Sequence, residues 1–173
     1  TQIINPSKSL KKLLPLFQKN KFSSLVIGPG LSLSKETETF VNKILEKIPN
    51  NIPIIIDADA ITIISKMKNK IKDHISTSNI IVTPHIGELQ KLTGISKKKI
   101  VRNRFEIVQE YAKKEGINVV SKGAPTIIAS PDGSTFISPW INSGLSKAGS
   151  GDILSGLIGG LAAQPDINSI NAS

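Results

Sequence analysis

The chain reads as an α/β protein built on a mostly parallel sheet with helices on both faces. Three observations carry that reading. Short apolar runs rich in Ile and Val alternate with segments of helical spacing, the pattern of buried strands joined by helical crossovers. Each of the first four runs ends directly in a polar or glycine-bearing motif: Gly28-Pro29-Gly30, Asp57-Ala58-Asp59, Thr83-Pro84-His85 and Lys122-Gly123. No repeat or low-complexity linker divides the 173 residues, which suits a single domain over 1–173. In open α/β sheets ligands bind at the carboxyl edge of the strands, so function is expected there.

The elements follow in order. Residues 7 to 19 carry an amphipathic pattern, Leu10, Leu13, Leu14 and Phe17, interrupted by Pro15. Leu25 to Ile27 reads as a strand ending in the Gly-Pro-Gly turn. Thr37 to Ile48 has helical spacing at Phe40, Val41, Ile44, Leu45 and Ile48. Pro53 to Ile56 is a second strand, Ile61 to Met67 a helix, and Lys68 to Asp73 a polar connection. Asn79 to Val82 is the third strand, followed by a helix from Gly87 to Leu92 that Gly94 ends. Lys97 to Glu115 gives the clearest helical pattern, with Val101, Phe105, Val108 and Ala112 in step and Gly116 at its end. Ile117 to Val120 is the fourth strand. Thr126 to Ala129 and Ser134 to Ile137 flank Pro131-Asp132-Gly133, a hairpin signal. Ile153 to Ala163 is an apolar helix, preceded by a run holding Gly144, Gly149 and Gly151, and a polar tail starts at Gln164.

Composition narrows the function classes. The sequence has no Cys, which removes disulfides, thiolate metal sites and thiol nucleophiles. No apolar run approaches the roughly 18 residues that cross a bilayer. No signal peptide is recognisable, so a cytoplasmic enzyme is expected, with no membrane partner. Thr1 is not an initiator. The net charge of +9 comes mostly from dispersed Lys, with Arg102 and Arg104 as the only arginines. Nucleic-acid binders usually combine a basic patch with Arg and aromatic contacts, so no nucleic-acid partner is expected. An anionic ligand would still gain from the field.

Several motifs have the residue types that chemistry needs. The glycines before the last helix allow close approach of a ligand to the backbone. Unpaired N–H groups and the dipole at that helix start favour an anion such as phosphate. Asp152 stands at this junction; Ser150 or Asp152 could equally serve as a helix cap. Asp57 and Asp59 form a strand-end carboxylate pair that could hold Mg²⁺ through water or cap the next helix. His85 follows a rigid Thr-Pro turn and precedes Glu88 by three residues, and Glu88 suits a charge-assisted hydrogen bond or a magnesium-bound water. Lys122 offers a point charge and Thr126 a hydroxyl donor.

Taken together, these motifs resemble those of the ADP/ATP-dependent NAD(P)H-hydrate dehydratases of the ribokinase-like superfamily. Asn142 to Asp152 resembles the family's N-P-G-x-x-x-x-G-S-G-D run, with Ser143 in place of Pro and Leu145 and Ser146 in place of Met and Ala. Thr83 to Glu88 resembles T-P-H-x-G-E, with Ile86 in place of the more usual Pro. Lys122 to Thr126 resembles K-G-x-x-T. Five motifs in the family's order span residues 26 to 160. The family's first strands, its Gly-rich substrate segment and its last helices have no counterpart, so the chain looks like the middle of a domain.

The resemblance implies a hydro-lyase that repairs NADHX and NADPHX. ADP or ATP is consumed as co-substrate with Mg²⁺: the hydrate hydroxyl is phosphorylated, and elimination restores the ring. By the same resemblance Asp152 is the catalytic base, and Gly30, His85 and Asp152 meet the substrate. Lys122, Gly123, Ala124, Pro125, Thr126, Asn142, Gly149, Ser150 and Gly151 meet the nucleotide. The remaining alternatives are a superfamily kinase acting on a thiamine-precursor alcohol, which His85 disfavours, and an inactive remnant. An uncovered sheet edge is also expected, inviting association into a homo-oligomer.

Overall fold

The computed structural model describes residues 6–18, 22–67, 79–140 and 147–164. Among them six strands form one sheet in sequence order: β1 (Leu25–Ile27), β2 (Ile54–Ile56), β3 (Ile80–Val82), β4 (Asn118–Ser121), β5 (Ile127–Ala129) and β6 (Thr135–Ile137). β1 to β4 run parallel, while the β4–β5 and β5–β6 pairs are antiparallel. The helices are α1 (Pro6–Gln18), α2 (Lys35–Lys47), α3 (Ala58–Ile64), α4 (Ile86–Thr93), α5 (Lys97–Arg102), α6 (Arg104–Glu115) and α7 (Ser150–Ala162).

The strand register explains where the core sits. Ile27, Ile54, Ile56, Ile80, Val82, Val119, Ile127 and Ala129 share one sheet face, as alternation requires. They join a buried cluster with side chains from all of α1 to α6, including Phe17, Ile44, Ile61, Leu89, Ile100 and Val108. The other face carries Val26, Ile55, Val120, Ile128 and Phe136. Among the described residues α7 packs there, on β1 and β2, where Gly159 lets it close on Val26 and Ile55. Exposure on that face rises from 0% at Ile55, under α7, to 69% at Phe136. Helices thus lie on both faces, unequally.

Three local expectations change. The pattern over 97–115 is two helices, because Asn103 adopts φ −129 and ψ 41 between α5 and α6. Its N–H donates to the Lys99 carbonyl and its carbonyl accepts from Ile107, so one Asn ends one helix and opens the next. Val101, in step with the core positions on a single helix, is 59% exposed as a result. Pro15 does not interrupt α1, whose Leu10 and Phe17 are held in the core; one missing N–H is outweighed by that packing. Finally, α7 starts at Ser150, three residues earlier than Ile153, which puts Gly151 and Asp152 inside its first turn. Lys68 to Asp73 lies outside the described residues.

Candidate active site

The carboxyl ends of β1 to β4 bring four distant motifs together. After β1, Gly28 turns at φ +133, and a Cβ there would collide with the Asp57 backbone carbonyl. Only a residue without Cβ allows this approach. Gly30 follows at φ +69 in the loop leading to α2. That loop is tied across to the next motif, because the Ser32 N–H donates to Asp59 Oδ2 at 2.8 Å.

After β2, Asp57 is 1% exposed and accepts the Ala58 N–H at 2.8 Å, capping α3. Ala58 holds φ +47, a left-handed conformation uncommon for a non-glycine residue. The same Asp57 Oδ1 accepts a hydrogen bond from Lys122 Nζ at 2.6 Å. Asp57 and Asp59 therefore serve different partners.

After β3, His85 caps α4. Its Nδ1 accepts the N–H groups of Gly87 at 2.9 Å and Glu88 at 3.1 Å, and Glu88 Oε2 accepts the His85 N–H at 2.8 Å. This reciprocal capping box leaves Nε2 as the nitrogen that carries the proton in the neutral ring. Nε2 lies 3.5 Å from Glu88 Oε1 on a side chain that is 59% exposed. The expected His85 to Glu88 relation is thus a helix start, with the imidazole edge turned outward as a donor.

After β4, the Lys122 N–H donates to the Pro84 carbonyl at 2.8 Å, locking the third and fourth motifs together. The segment then turns through Gly123 at φ +154 and a cis Ala124–Pro125 bond. Thr126 Oγ1 donates to the Gly123 carbonyl at 3.2 Å. Arg104, from α6, packs against Gly123 and donates to the Pro125 carbonyl. Burial holds the Arg104 guanidinium below its ordinary value.

The N-terminus of α7 lies over this floor. A Cβ on Gly151 would stand 3.5 Å from Lys122 Nζ and 3.9 Å from Asp57 Oδ2. Gly149, at φ +87, is the N-cap residue and provides no side-chain cap. Ser150 Oγ donates back to the Lys147 carbonyl instead, and Asp152 points into the open as an exposed residue of the first turn. Neither Ser150 nor Asp152 caps the helix. The Ser150 N–H donates to the Lys147 carbonyl at 3.2 Å, while the Gly151 and Asp152 N–H groups, without intrahelical partners, receive none from a capping side chain. Asn142 and Ser143 to Ser146 lie outside the described residues.

A cleft of about 430 Å³ opens beside β1, with Gly28, Pro29, Asp152 and Ser155 on one side and Phe40 and Ile44 on the other. Its walls are mainly apolar and do not include Lys122 or His85. It meets the motif edge through Gly28, Pro29 and Asp152. Sequence reasoning gives Arg104 no place at this edge, and gives Thr83 only a place in the Thr-Pro-His motif. The Thr83 hydroxyl is fully buried without a hydrogen-bond partner.

As a seat for Mg²⁺ the carboxylates do not fit. Asp57 holds Lys122, Asp59 holds Ser32, and Glu88 closes the capping box. Among the described residues no group of three or more His, Asp or Glu side chains could hold a metal ion. No described helix is long and apolar enough to cross a membrane.

The chain is similar to several known proteins. The bifunctional NAD(P)H-hydrate repair enzyme of Moorella thermoacetica is 40% identical over 141 residues, covering 81% of this chain and 26% of that one. A ribokinase-like superfamily protein from Enterococcus faecalis superimposes with a TM-score of 0.79 at 26% identity, covering 91% of this chain and 52% of that one. The Bacillus subtilis ADP/ATP-dependent NAD(P)H-hydrate dehydratase, co-crystallised with ATP/Mg²⁺ and soaked with CoA, gives 0.68 at 32% identity, covering 82% and 48%. The chain spans between 26% and 51% of the length of the curated relatives it matches first. The fold is ribokinase-like, and the family model described as NAD(P)H-hydrate dehydratase matches residues 5–173. The chain belongs to that family.

Proposed function

We propose that this chain carries the nucleotide and hydrate chemistry of an ADP/ATP-dependent NAD(P)H-hydrate dehydratase. One observation carries the reading: an uncapped helix start lies directly over a lysine ammonium, with a free carboxylate in the same turn. The N–H groups from Gly149 to Gly151 and the α7 dipole suit a phosphoryl group whose charge is developing. Lys122 adds a fixed positive charge beneath it. The turn from Gly123 through Ala124 and Pro125 to Thr126, braced by Arg104, would hold the remaining phosphates, together with Asn142.

Asp152 is the general base in this scheme. It takes the proton of the hydrate hydroxyl as that oxygen attacks the terminal phosphorus of the nucleotide. The bridging P–O bond breaks, releasing a nucleotide one phosphate shorter. The phosphate ester then leaves with the C–O electron pair, a neighbouring C–H proton is lost, and the dihydropyridine ring returns. Gly30 and the Nε2–H of His85 would orient the hydrated dinucleotide. Mg²⁺ would enter with the nucleotide, bound to phosphate oxygens and water, since Mg²⁺ takes few direct carboxylates.

His85→Asn tests the substrate assignment, because Asn keeps a capping side chain on α4 while removing the imidazole. The variant should show a KM for hydrated NADPH raised about tenfold or more, as expected on losing a hydrogen bond of about 1.5 kcal/mol. Its KM for ADP should be unchanged. Equal changes in both constants would remove His85 from the substrate site. Phosphorylation of a thiamine-precursor alcohol, with no action on the hydrate, would replace the reading with a kinase.

A further inference from the structure

The site already contains a cation of its own. Lys122 Nζ lies 2.6 Å from Asp57 Oδ1 and 3.9 Å from Glu88 Oε2. The two acids come from the end of β2 and the first turn of α4, and both side chains are almost wholly buried, at 1% and 9% exposure. Buried charges require a partner, and Lys122 serves both. Thr83, next to Asp57 when the β2–β3 register is continued, adds a buried hydroxyl with no partner of its own. His85 Nε2 faces Glu88 from the solvent side, and α7 covers the ammonium from above.

We infer that Lys122 is the resident cation of the Asp57–Glu88 pair, filling by covalent attachment the place a divalent metal would take. Asp57 is its positioning residue: it fixes the ammonium under the α7 N-terminus, ready for an anion. This rests on the phosphate reading of that N-terminus and deepens it. The protein side of the site then needs no metal, and any Mg²⁺ belongs to the nucleotide.

The test is Mn²⁺ binding without nucleotide, followed by loss of the free-ion electron paramagnetic resonance signal. Lys122→Met, which keeps the stem and removes the charge, should take up Mn²⁺ at least about tenfold more tightly than wild type, because the ammonium that neutralises both carboxylates is gone, while Asp57 Oδ1 keeps the Ala58 N–H and Glu88 Oε2 the His85 N–H. Adding Glu88→Gln should abolish the gain, and Lys122→Arg should behave as wild type. Mn²⁺ should raise the Tm of Lys122→Met and leave that of wild type unchanged. If Lys122→Met does not fold in metal-free buffer, recovery of its circular dichroism on adding Mn²⁺ supports the assignment, and failure to recover overturns it. Equal Mn²⁺ uptake by wild type and Lys122→Met, or uptake by neither, also overturns it. No nucleotide is present, so a negative result leaves the phosphate reading standing. Loss of that reading would appear separately, as wild type failing to bind ADP.

Discussion

The Lys122–Asp57 pair makes a quantitative prediction about stability. Lys122→Met leaves the Asp57 carboxylate at 1% exposure with the Ala58 N–H as its remaining partner. Removing one member of a buried ion pair typically costs about 3–5 kcal/mol, and the 21% exposure of the Lys122 side chain favours the lower end. Asp57→Asn should cost less, about 1.5–3 kcal/mol, the scale of one hydrogen bond to a charged group. The ammonium it leaves behind keeps part of its hydration and Glu88 at 3.9 Å. In the double variant neither charge remains, and the carboxamide oxygen introduced by Asp57→Asn can still accept the Ala58 N–H. It should therefore lose less than the sum of the two single losses, by a coupling of about 2 kcal/mol for two residues in one network. Urea unfolding of the four proteins measures the cycle. For a chain of this size each kcal/mol moves Tm by about 2–4 °C, so the Lys122→Met loss should be visible by calorimetry as well. Strictly additive losses, with coupling under about 0.5 kcal/mol, would show that the two side chains do not stabilise one another and would refute the electrostatic account of the site floor.

Two further perturbations probe the frame around the site. Gly28→Ala should lower Tm by at least about 2 °C, because a side chain at φ +133 costs on the order of 1–2 kcal/mol before its collision with the Asp57 carbonyl is counted; an unchanged Tm would mean that the β1 loop moves aside freely. Tyr111, partly buried on α6, is held well above its ordinary ionisation, first by burial and then by the charge of Glu115. In the unfolded chain Tyr111 loses its proton at the ordinary value near 10, while in the folded chain it stays protonated, so its share of stability is complete below that pH and falls as pH rises above it. Tyr111→Phe should flatten the alkaline limb of a stability-against-pH curve measured by urea unfolding, and an identical limb would place the titrating group elsewhere.

Much of the frame was legible because strand ends announce themselves. Gly28, Asp57, Thr83 and Lys122 each follow an apolar run, and the parallel register aligns them on one edge whatever the loops do. The left-handed ends at Gly94 and Gly116 also followed from residue type, since both hold φ near +70. The break at Asn103 was less visible. Apolar spacing continues through it, and the signal was an Asn, whose short polar side chain competes with helical hydrogen bonding, placed between two arginines. The capping question at α7 could not be read either, because Gly, Ser and Asp all suit a helix start. The backbone chose Gly149, which left Asp152 free. The Lys122–Asp57 pair joins residues 65 positions apart, and only the stacking of four strand ends brings them together. Charge balance in a local window cannot reveal such a pairing.

The proposed function assigns to Asp152, in the first turn of α7, the proton transfer of a nucleotide-dependent dehydration. The most direct measurement is recovery of the dihydronicotinamide absorbance from hydrated NADPH with ADP or ATP, in wild type and Asp152→Asn, alongside calorimetric nucleotide binding. Asn preserves shape while removing the base. Turnover should fall by about 10²–10⁴-fold, the usual contribution of general acid–base catalysis, with nucleotide affinity and Tm nearly unchanged. Wild-type recovery should match the nucleotide phosphate consumed, one for one. Full turnover in Asp152→Asn, or hydrate repair by wild type without nucleotide consumption, would contradict the account.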